Sequence, residues 1–358
     1  MNLPKKILIA YDEFPPIAYD LAEAFLRLGV ETRLFLACRH EHWFYKHVIR
    51  RVNKQARNLR LVKKGRDLFA NHPLNRLRYL TSHYQEMLDK FQPDFVFFIH
   101  GQPFGNPVLS QIAVPKVAWW IEPDTDLDAL RQYAAPFDIY LSFNTKAKAL
   151  LEAVGFKTGF LNHAAAPSRF YPLTDRRQTY DAVFVGNWSP WREEVISRLL
   201  TVTKNVALYG PYWKKKSKLA NADLARIYKG KHIEGDELNR LLNSAKIVLN
   251  AQRFRDSSGL NMRFFEVLAA QACFLTDAAP ELEHCFIPGE HLCVYRDLEE
   301  LRQQVTMLLA DQDMRGKIGL AGYRYVLENH TYEHRARTLL ALFDALQTEK
   351  AAPTLHLV

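Results

Sequence analysis

The 358-residue sequence contains no apolar run of the roughly 18–20 residues that a membrane-spanning helix requires. Its first residues, MNLPKKILIAYDEF, also lack the long apolar stretch and the small-residue cleavage site of a signal peptide. The four cysteines, Cys38, Cys273, Cys285 and Cys293, show neither CxxC spacing nor a disulfide framework, and no cluster of His, Cys and Asp has metal-ligand spacing. We therefore expect a cytoplasmic protein without disulfides and without a metal site.

No P-loop and no GxGxxG motif are present, so the main support for an ATPase or a hydride-transfer enzyme is missing. Internal repeats and low-complexity segments are missing as well. With 48% hydrophobic residues, 24% charged residues, 15 Gly and 17 Pro, the composition excludes a disordered, collagen-like or coiled-coil chain. The length exceeds what one core usually organises, and we expect two domains of roughly 150–200 residues each.

The positive charge is concentrated in one segment. Lys and Arg outnumber Asp and Glu by 48 to 39, and residues 39–66 alone hold ten Lys or Arg against the single acid Glu41. Outside this segment the two signs balance at 38 each. One basic segment on a neutral body indicates a local docking face rather than a surface that is basic everywhere.

Within this segment, apolar residues recur at near-helical spacing at Phe44, Val48, Val52, Ala56 and Leu59. The other faces of this predicted amphipathic helix carry Arg50, Arg51, Lys54 and Arg57. Three alternatives stay open: a solvated helix packed on the first domain, a docking surface for an anionic acceptor or an anionic membrane leaflet, and a nucleic-acid-binding segment. Membrane docking would place the protein at the inner face of the membrane.

Short apolar runs alternate with helical patterns along the chain, which is typical of doubly wound α/β folds. Strands are predicted at 6–11, 31–36, 94–99, 115–120, 137–142 and 157–161, then at 181–185, 205–209, 245–250, 273–276 and 291–294. The polar stretch Ser168–Tyr180 between the two series indicates a linker. We predict Rossmann-like domains at 1–172 and 173–330 that face a central cleft, and a helix at 331–350 that packs back toward the first domain.

The most specific constellation follows the predicted strand 245–250. Ser257, Ser258 and Gly259 precede a helix that begins near Asn261, so backbone N–H groups stay open at a helix N-terminus. A cation in the first turn, Arg263, is unfavourable there unless an anion binds nearby. These features predict a site in which a diphosphate binds at the helix start and a ribose binds toward Glu266. The alternative is an N-capped helix with a surface Arg–Glu pair and no ligand.

A second candidate element opens the C-terminal domain, where Gly186 follows a predicted strand within FVGNWSPWREEVI, residues 184–196. A strand–glycine turn lets a ligand approach the backbone, and Arg192 is within reach of a phosphate.

From these residues onward the sequence resembles a known family, the CgeB-type spore-maturation proteins, which have a glycosyltransferase-like domain of the GT-B superfamily. The resemblance is carried in order and spacing over about 160 residues by FVGNWSPWREEVI (184–196), LYGPYW (208–213), SAKIVLN (244–250), SGLNMRFFEVLAAQACFLTD (258–277), FIPGEHLCVYRDLEEL (286–301) and NHTYEHR (329–335). The N-terminal half is similar only in layout.

The resemblance implies that the second domain grips the donor diphosphate and ribose while the first domain presents the acceptor, with loops near Tyr209 and Ile233 framing the base. The residues expected to bind the donor are Gly186, Asn187, Arg192, Tyr209, Gly210, Ile233, Ser258, Gly259, Leu260, Asn261, Arg263 and Glu266. Two positions depart from the family pattern. Ser258 stands where many retaining enzymes carry Glu, and residues 12–16 replace a glycine-rich loop, so retention and inversion both stay open.

Candidate catalytic residues in the first domain lie after predicted strands. His100 follows the strand 94–99 and precedes Gly101, and a histidine there can act as a base or hold a sugar hydroxyl. Asp12, Glu13 and Asp124 lie at equivalent strand ends, and of these Asp124 is the second candidate. His163 is the third. Asp124 and His163 each also fit a purely structural role, in a turn or in a hinge.

We therefore predict a metal-independent glycosyltransferase that uses a nucleoside-diphosphate sugar, with no permanently bound cofactor. The acceptor, a cell-surface glycan, a lipid or a protein, and the oligomeric state are not identified by the sequence. The alternatives are a non-catalytic nucleotide-sugar or glycan-binding protein of the same fold and a nucleic-acid-binding protein that uses residues 39–66.

Overall fold

The structure is a computed structural model that describes residues 4–12, 16–63, 67–100, 109, 112–121, 127–255 and 257–351. The chain divides into two compact units. The first unit comprises Met1–Ser142, Ala147–Leu161 and Ala336–Val358, and the second comprises Phe143–Lys146 and Asn162–Arg335.

A six-stranded parallel sheet forms the centre of the first unit. Its strands are β1 (Lys6–Tyr11), β2 (Glu31–Leu36), β3 (Phe95–Ile99), β4 (Lys116–Trp120), β5 (Ile139–Ser142) and β6 (Thr158–Phe160), in the order β2-β1-β3-β4-β5-β6. The central strand β3 is buried at every residue, which explains why it is apolar throughout rather than alternating.

The helices that precede the seventh strand are α1 (Ile17–Arg27), α2 (Arg50–Asn58), α3 (Arg76–Phe91), α4 (Leu127–Ala134) and α5 (Thr145–Glu152). A 3₁₀-helix at Ala37–His40 and a π-helix at Tyr45–Ile49 lie between β2 and α2.

The predicted apolar stripe of the basic helix is wrong in its register. The π-helix winds more residues per turn than an α-helix, so the inward face shifts along the sequence. The face that is buried carries Ile49, Asn53 and Ala56, while Val52 and Leu59 are exposed. The Asn53 amide holds this face in place, since its Nδ2 donates to Asp67 Oδ1 at 2.6 Å and its Oδ1 accepts from the Leu68 N–H.

The second unit is built on another six-stranded parallel sheet. Its strands are β7 (Tyr180–Val185), β8 (Val206–Tyr209), β9 (Tyr228–Gly230), β10 (Ala245–Leu249), β11 (Phe274–Asp277) and β12 (Cys293–Tyr295). Their order, β12-β11-β10-β7-β8-β9, is that of a Rossmann sheet. The prediction of two doubly wound α/β domains is confirmed.

The remaining helices are α6 (Pro190–Leu199), α7 (Trp213–Lys216), α8 (Asn221–Ile227), α9 (Gly235–Asn243), α10 (Met262–Ala269), α11 (Leu282–Cys285), α12 (Leu298–Ala310), α13 (Gln312–Asn329) and α14 (Tyr332–Ala351). None of the described helices is long and apolar enough to cross a membrane. Phe343 of α14 is buried and stacks on Phe95 of β3 within the first unit, with ring centroids 4.1 Å apart.

The division between the units falls at Leu161, before the predicted boundary at 172. The chain after Leu161 joins the second unit because Ala165 exchanges backbone hydrogen bonds with His330 (2.7 Å) and Tyr332 (3.1 Å). Ser168–Tyr180 is therefore not a free linker: Phe170 lies in the core of the second unit, and the Leu173 N–H donates to Asn243 Oδ1 at 2.9 Å.

Candidate functional site

The second unit has a topological switch point between β7 and β10. After β7 the chain builds β8 and β9 on one side, and it later builds β10, β11 and β12 on the other. Ligands of doubly wound sheets bind outside the carboxyl ends of the strands at such a point. The residues that follow β7 and β10, together with the end of β11, therefore define the candidate site.

Two glycines bring the ends of β7 and β8 into close backbone contact. A Cβ atom at Gly210 would stand 1.9 Å from the Gly186 carbonyl oxygen, and Gly210 has a φ of +144° that side chains disfavour. The Gly186 oxygen accepts a hydrogen bond from Trp213 Nε1 at 2.9 Å. The structure thus brings together the predicted residues Gly186 and Gly210, and it explains why position 210 requires glycine.

Arg192 joins the turns that follow β7 and β10. Its Nη1 donates to the Asn187 carbonyl and its Nε donates to the Ala251 carbonyl, each at 2.9 Å. Burial lowers the pKa of Arg192 to about 10, so the guanidinium remains charged at neutral pH. No acceptor is assigned to its Nη2 within the described part of the chain, and that nitrogen remains available for an anion.

Asp277, at the end of β11, is a site residue that the sequence reasoning missed. Its two carboxylate oxygens accept from the Gln252 N–H at 3.0 and 2.8 Å, and Oδ2 also accepts from Trp191 Nε1 at 3.0 Å. Burial raises the pKa of Asp277 to about 6. Since Gln252 Nε2 donates to the Gly259 carbonyl at 2.8 Å, Asp277 positions the loop that leads into α10.

A second missed residue, Glu281, holds the same loop from the other side. Its carboxylate is fully buried and accepts from the Ser258 hydroxyl, from the Gly259 N–H (2.7 Å) and from the Thr145 N–H (3.1 Å) and hydroxyl. Burial alone raises the pKa of Glu281, but these hydrogen bonds outweigh it and the net pKa is lowered. A carboxylate therefore stands beside Ser258, although it comes from residue 281.

The first turn of α10 offers fewer open donors than the sequence predicted. The Gly259 N–H is occupied by Glu281, and the Leu260 side chain is fully buried in the core. Asn261 caps the helix by accepting the Arg263 N–H at 3.0 Å. Among the described residues no acceptor is assigned to the N–H groups of Leu260, Asn261 and Met262, so three donors remain open at the helix start.

Arg263 and Glu266 form the pair expected from their spacing. Arg263 Nη1 donates to Glu266 Oε2 at 2.6 Å, and the two side chains are 18% and 11% exposed. The Arg263 Nε is buried and has no hydrogen-bond acceptor among the described residues. One buried donor of this guanidinium is therefore open beside the open N–H groups of α10.

The residues predicted to frame a base lie around the end of β8. The Gly210 N–H donates to the Gly230 carbonyl at 2.9 Å, and a Cβ at Gly230 would stand 3.2 Å from the Tyr209 ring. Burial raises the pKa of the Tyr209 phenol. Ile233 packs, partly buried, against the core of the second unit. Base recognition by these residues stays a prediction.

The first unit has its own switch point between β1 and β3, and His100 follows β3 there. The imidazole lies beside Tyr11 and Trp120, with centroids 6.0 and 5.3 Å away, and its carbonyl accepts from the Tyr140 hydroxyl at 2.8 Å. Burial lowers the pKa of His100 to about 4, so the ring is neutral at physiological pH. Its φ of +68° is unusual for a residue with a side chain.

The other first-domain candidates have different outcomes. Glu13 and Asp124 lie outside the described residues. Asp12, at the end of β1, pairs with Arg76. His163 belongs to the second unit, where its carbonyl accepts from the Arg335 guanidinium at 3.0 Å and its ring lies 4.9 Å from the Phe143 ring. Within the described residues no group of three or more His, Cys, Asp or Glu has the arrangement of a metal site.

A family model described as glycosyl transferase-like matches residues 189–341, the segment that contains α6, β10, α10 and α13. No match is found among curated proteins.

Solved structures extend the likeness to nearly the whole chain. Sucrose-phosphate synthase from Thermosynechococcus elongatus is 14% identical with a TM-score of 0.69, and the alignment covers 96% of this chain and 99% of that one. HepE of Anabaena, solved with UDP-glucose, is 13% identical with a TM-score of 0.65 over 96% and 99%. A glycosyltransferase from Rickettsia africae is 11% identical with a TM-score of 0.65 over 97% and 99%. The solved structures confirm the predicted GT-B fold, and the family model supports the predicted glycosyltransferase class for residues 189–341.

Proposed function

We propose, for a chain that has the GT-B fold and a glycosyl transferase-like segment at 189–341, that it transfers a sugar from a uridine-diphosphate sugar. The observation that carries the proposal is a group of open hydrogen-bond donors at the start of α10: the N–H groups of Leu260, Asn261 and Met262, together with Arg263 Nε and Arg192 Nη2. Burial lowers the pKa of Arg192, the Asp277 carboxylate opposes this shift, and the nearby cations Arg253 and Arg263 add to it. Like charges gathered around open donors are stabilised when an anion binds among them.

The leaving diphosphate is the anion that fits this arrangement best. The N–H groups of Leu260, Asn261 and Met262 point out of a helix N-terminus, which carries positive potential. Arg263 Nε and Arg192 Nη2 add two open guanidinium donors. Such preorganised donors stabilise the charge that develops on the leaving group, so in this proposal Arg192 and Arg263 neutralise it without a metal ion.

The nucleoside is assigned by two lines of support. Glu266 follows Arg263 by one turn and would hold the ribose hydroxyls when Arg263 turns from Glu266 to the phosphates. Uridine as the base is supported by the neighbours, since HepE was solved with UDP and with UDP-glucose and a trehalose-phosphate synthase from Burkholderia xenovorans is described as UDP-forming. We also assign the CgeB-like subtype, because its motifs at 184–196 and 258–277 contain Arg192, Arg263 and Glu266.

The donor assignment is tested by measuring UDP affinity with and without a chelator. Arg263→Gln and Glu266→Gln remove charge-assisted hydrogen bonds and are expected to weaken binding by about 1–3 kcal/mol each. Arg302→Gln is the matched control, because Arg302 forms a similarly spaced pair with Glu299 on the exposed surface of the same unit. Unchanged UDP affinity in both site variants contradicts the donor site, whereas UDP binding without donor hydrolysis or transfer supports a non-catalytic binding protein.

For the first unit, we propose that His100 contacts the acceptor or the transferred sugar. A ring with a pKa of about 4 is a weak base at neutral pH, so its role in the proposal is to hold a hydroxyl by a hydrogen bond. Asp124 remains the proposed base. His100→Asn keeps a residue that tolerates positive φ, and it is expected to lower turnover by about 100-fold while UDP affinity stays unchanged. Normal turnover in this variant assigns the histidine to structure alone.

A second proposal concerns the basic surface of the first unit, defined as residues 43–63. Arg50, Arg51 and Lys54 are exposed, and no carboxylate lies within 4 Å of them among the described residues. Beside them, large apolar side chains are exposed: Trp43 by 66%, Leu59 by 67% and Leu61 by 73%. We infer that this surface docks on an anionic membrane leaflet, because a bilayer accepts both the charge and the apolar side chains, whereas a glycan or a nucleic-acid backbone accepts mainly the charge.

The membrane proposal is tested by sedimentation with anionic and neutral liposomes at low and high salt. Changing Arg50, Arg51, Lys54 and Arg57 to Glu is expected to abolish binding to anionic vesicles, since each basic residue contributes about 1 kcal/mol. The matched control changes Lys214, Lys215, Lys216 and Lys218 of the second unit to Glu, which alters the net charge equally. Binding to an oligonucleotide but not to vesicles supports the nucleic-acid alternative.

A further inference from the structure

The second unit contains a cavity of about 420 Å³ at the amino ends of its strands. It is lined by Ala245 and Lys246 at the start of β10, by Cys273 just before β11 and by the first turns of α13. The proposed donor site uses the carboxyl ends of the same parallel strands, so the two sites lie at opposite ends of the sheet.

Positive charge dominates the cavity wall. Four cations line it, Arg176, Lys246, Arg315 and Lys317, against the single carboxylate Asp313. Lys246 is paired with Asp181 at 2.8 Å. The other three have no carboxylate within 4 Å in the described part of the chain.

The two arginines are held in place by backbone carbonyls, and neither forms an ion pair with a carboxylate within 4 Å among the described residues. Arg176 donates to the Ala270 and Gln271 carbonyls at 2.8 and 3.0 Å. Arg315 is 6% exposed, and its Nη1 donates to the Leu308 carbonyl at 2.5 Å. Its Nη2 reaches only Gln178 Oε1 at 3.5 Å, and its Nε is buried with no acceptor among the described residues. Burial lowers the pKa of Arg176, as expected for a cation without a counter-ion.

A glycine inside a helix borders the cavity and offers a position from which a larger side chain can fill it. Gly316 lies in the first turns of α13 and lines the cavity, and a Cβ atom added there would meet no atom within 4 Å. Glycine destabilises a helix interior, and no neighbour in the described structure requires it at this position. An alanine would fit without a clash, whereas a longer side chain would extend into the cavity.

We propose that this cavity binds the phosphate monoester of a small metabolite, independently of the nucleotide-sugar donor. Arg176, Arg315 and Lys317 would face the phosphate, and the amide of Gln178 would hydrogen-bond a hydroxyl of the esterified group. The volume lies in the range of small-molecule sites, roughly 300–1,000 Å³. Binding there goes beyond the proposed transfer reaction and adds a second ligand site to the same unit.

The experiment measures binding of glucose 6-phosphate, uridine monophosphate and inorganic phosphate to the full chain by titration calorimetry. Saturable binding of at least one organic ester is expected, with inorganic phosphate weaker because it lacks the hydroxyls of the esterified group that the Gln178 amide would bind. Lys317→Glu is expected to weaken binding by about tenfold or more, the scale of one lost charge-assisted hydrogen bond. Gly316→Leu fills the open space and is expected to abolish binding, whereas Gly316→Ala is the control that largely retains it.

Two controls separate this site from the donor site. Lys215→Glu removes an exposed lysine elsewhere in the unit, and Arg263→Gln removes a proposed donor contact; both are expected to retain ester binding. Circular dichroism and the thermal midpoint of Gly316→Leu show whether the variant is folded, and Lys317→Glu, on the surface, serves if it is not. Loss of ester binding in Arg263→Gln but not in Lys317→Glu overturns the proposal, as does the absence of binding by all three compounds at millimolar concentration. UDP affinity, measured in parallel, tests the donor site separately.

Discussion

The carboxyl ends of the two sheets are built in opposite ways. At the carboxyl ends of the strands in the second unit, the backbones that follow β7 and β8 approach each other closely. The carboxylates of Asp277 and Glu281 there accept several hydrogen bonds from the neighbouring loops. In the first unit, His100 lies neutral and buried among aromatic rings. The first arrangement leaves hydrogen-bond donors open at the start of α10, whereas the second arrangement offers a polar ring in apolar surroundings.

This difference explains which features the sequence revealed. The glycines at 186 and 210 and the helix start at Asn261 are local features, and local chemistry identifies them without knowledge of the fold. Glu281 acts on Thr145, 136 residues away in the chain, and no local pattern indicates that contact. Asp277 likewise acts on Trp191 across 86 residues.

The largest expected effect tests the close backbone approach in the second unit. Gly210→Ala is expected to destabilise the protein by about 3 kcal/mol or more, because its Cβ would overlap the Gly186 carbonyl and its φ disfavours side chains. Gly235→Ala is the matched control: its φ is also positive, at +56°, but nothing lies within 4 Å, so only about 1 kcal/mol is expected. Denaturant unfolding measures both. Equal losses in the two variants would show that the contact between the ends of β7 and β8 is unimportant.

Acidification is expected to change the contributions of His100 and Asp277 to the free energy of unfolding in opposite directions. The pKa of His100 is lowered by burial from 6.5 to about 4, so the unfolded chain binds more protons and stability is lost as pH falls between these values. The pKa of Asp277 is raised by burial from 3.8 to about 6, so the folded chain binds more protons and stability is gained over a similar range. Each of these two residues changes the free energy of unfolding by about 3 kcal/mol near pH 4. His330, whose pKa burial lowers to about 4, adds to the loss.

Substitutions separate the contribution of His100 from that of Asp277. His100→Asn is expected to flatten the loss of stability between pH 6.5 and 4, because the folded chain no longer excludes that proton. Asp277→Asn is expected to steepen the loss, because the compensating gain disappears. The measurement is the free energy of unfolding in urea at several pH values, compared as slopes. A wild-type slope that neither variant changes would contradict the burial-driven pKa shifts of both residues.

Beyond the site, the fold was largely predictable where strands are buried and apolar. The predicted strand at 94–99 differs from β3 by one residue, since covered strands of a parallel sheet exclude polar residues along their length. β9 was missed because its three residues, Tyr228–Gly230, include an exposed lysine and carry no such pattern. The buried face of the basic helix was misplaced because a π-helix shifts the register, which the average periodicity of a sequence does not reveal.

The smallest of the expected effects tests whether the Glu281 carboxylate holds the loop at Ser258 and Gly259 that leads into α10. Glu281→Gln retains the size of the side chain but replaces one carboxylate oxygen with an amide N–H₂. That amide would face a group that now donates to the carboxylate, such as the Gly259 N–H, and two donors would oppose each other. We expect a loss of about 1–2 kcal/mol in unfolding free energy, the cost of one buried unsatisfied donor. Because the loop leads into the open N–H groups of α10, UDP affinity is expected to fall as well, while Glu281→Asp, which keeps the charge, partly restores it. Glu299→Gln, on the exposed surface, is the control and is expected to change stability by less than about 0.5 kcal/mol. If Glu281→Gln unfolds and binds UDP as the wild type does, Glu281 does not position the loop, and the contrast between the two edges rests on Asp277 alone.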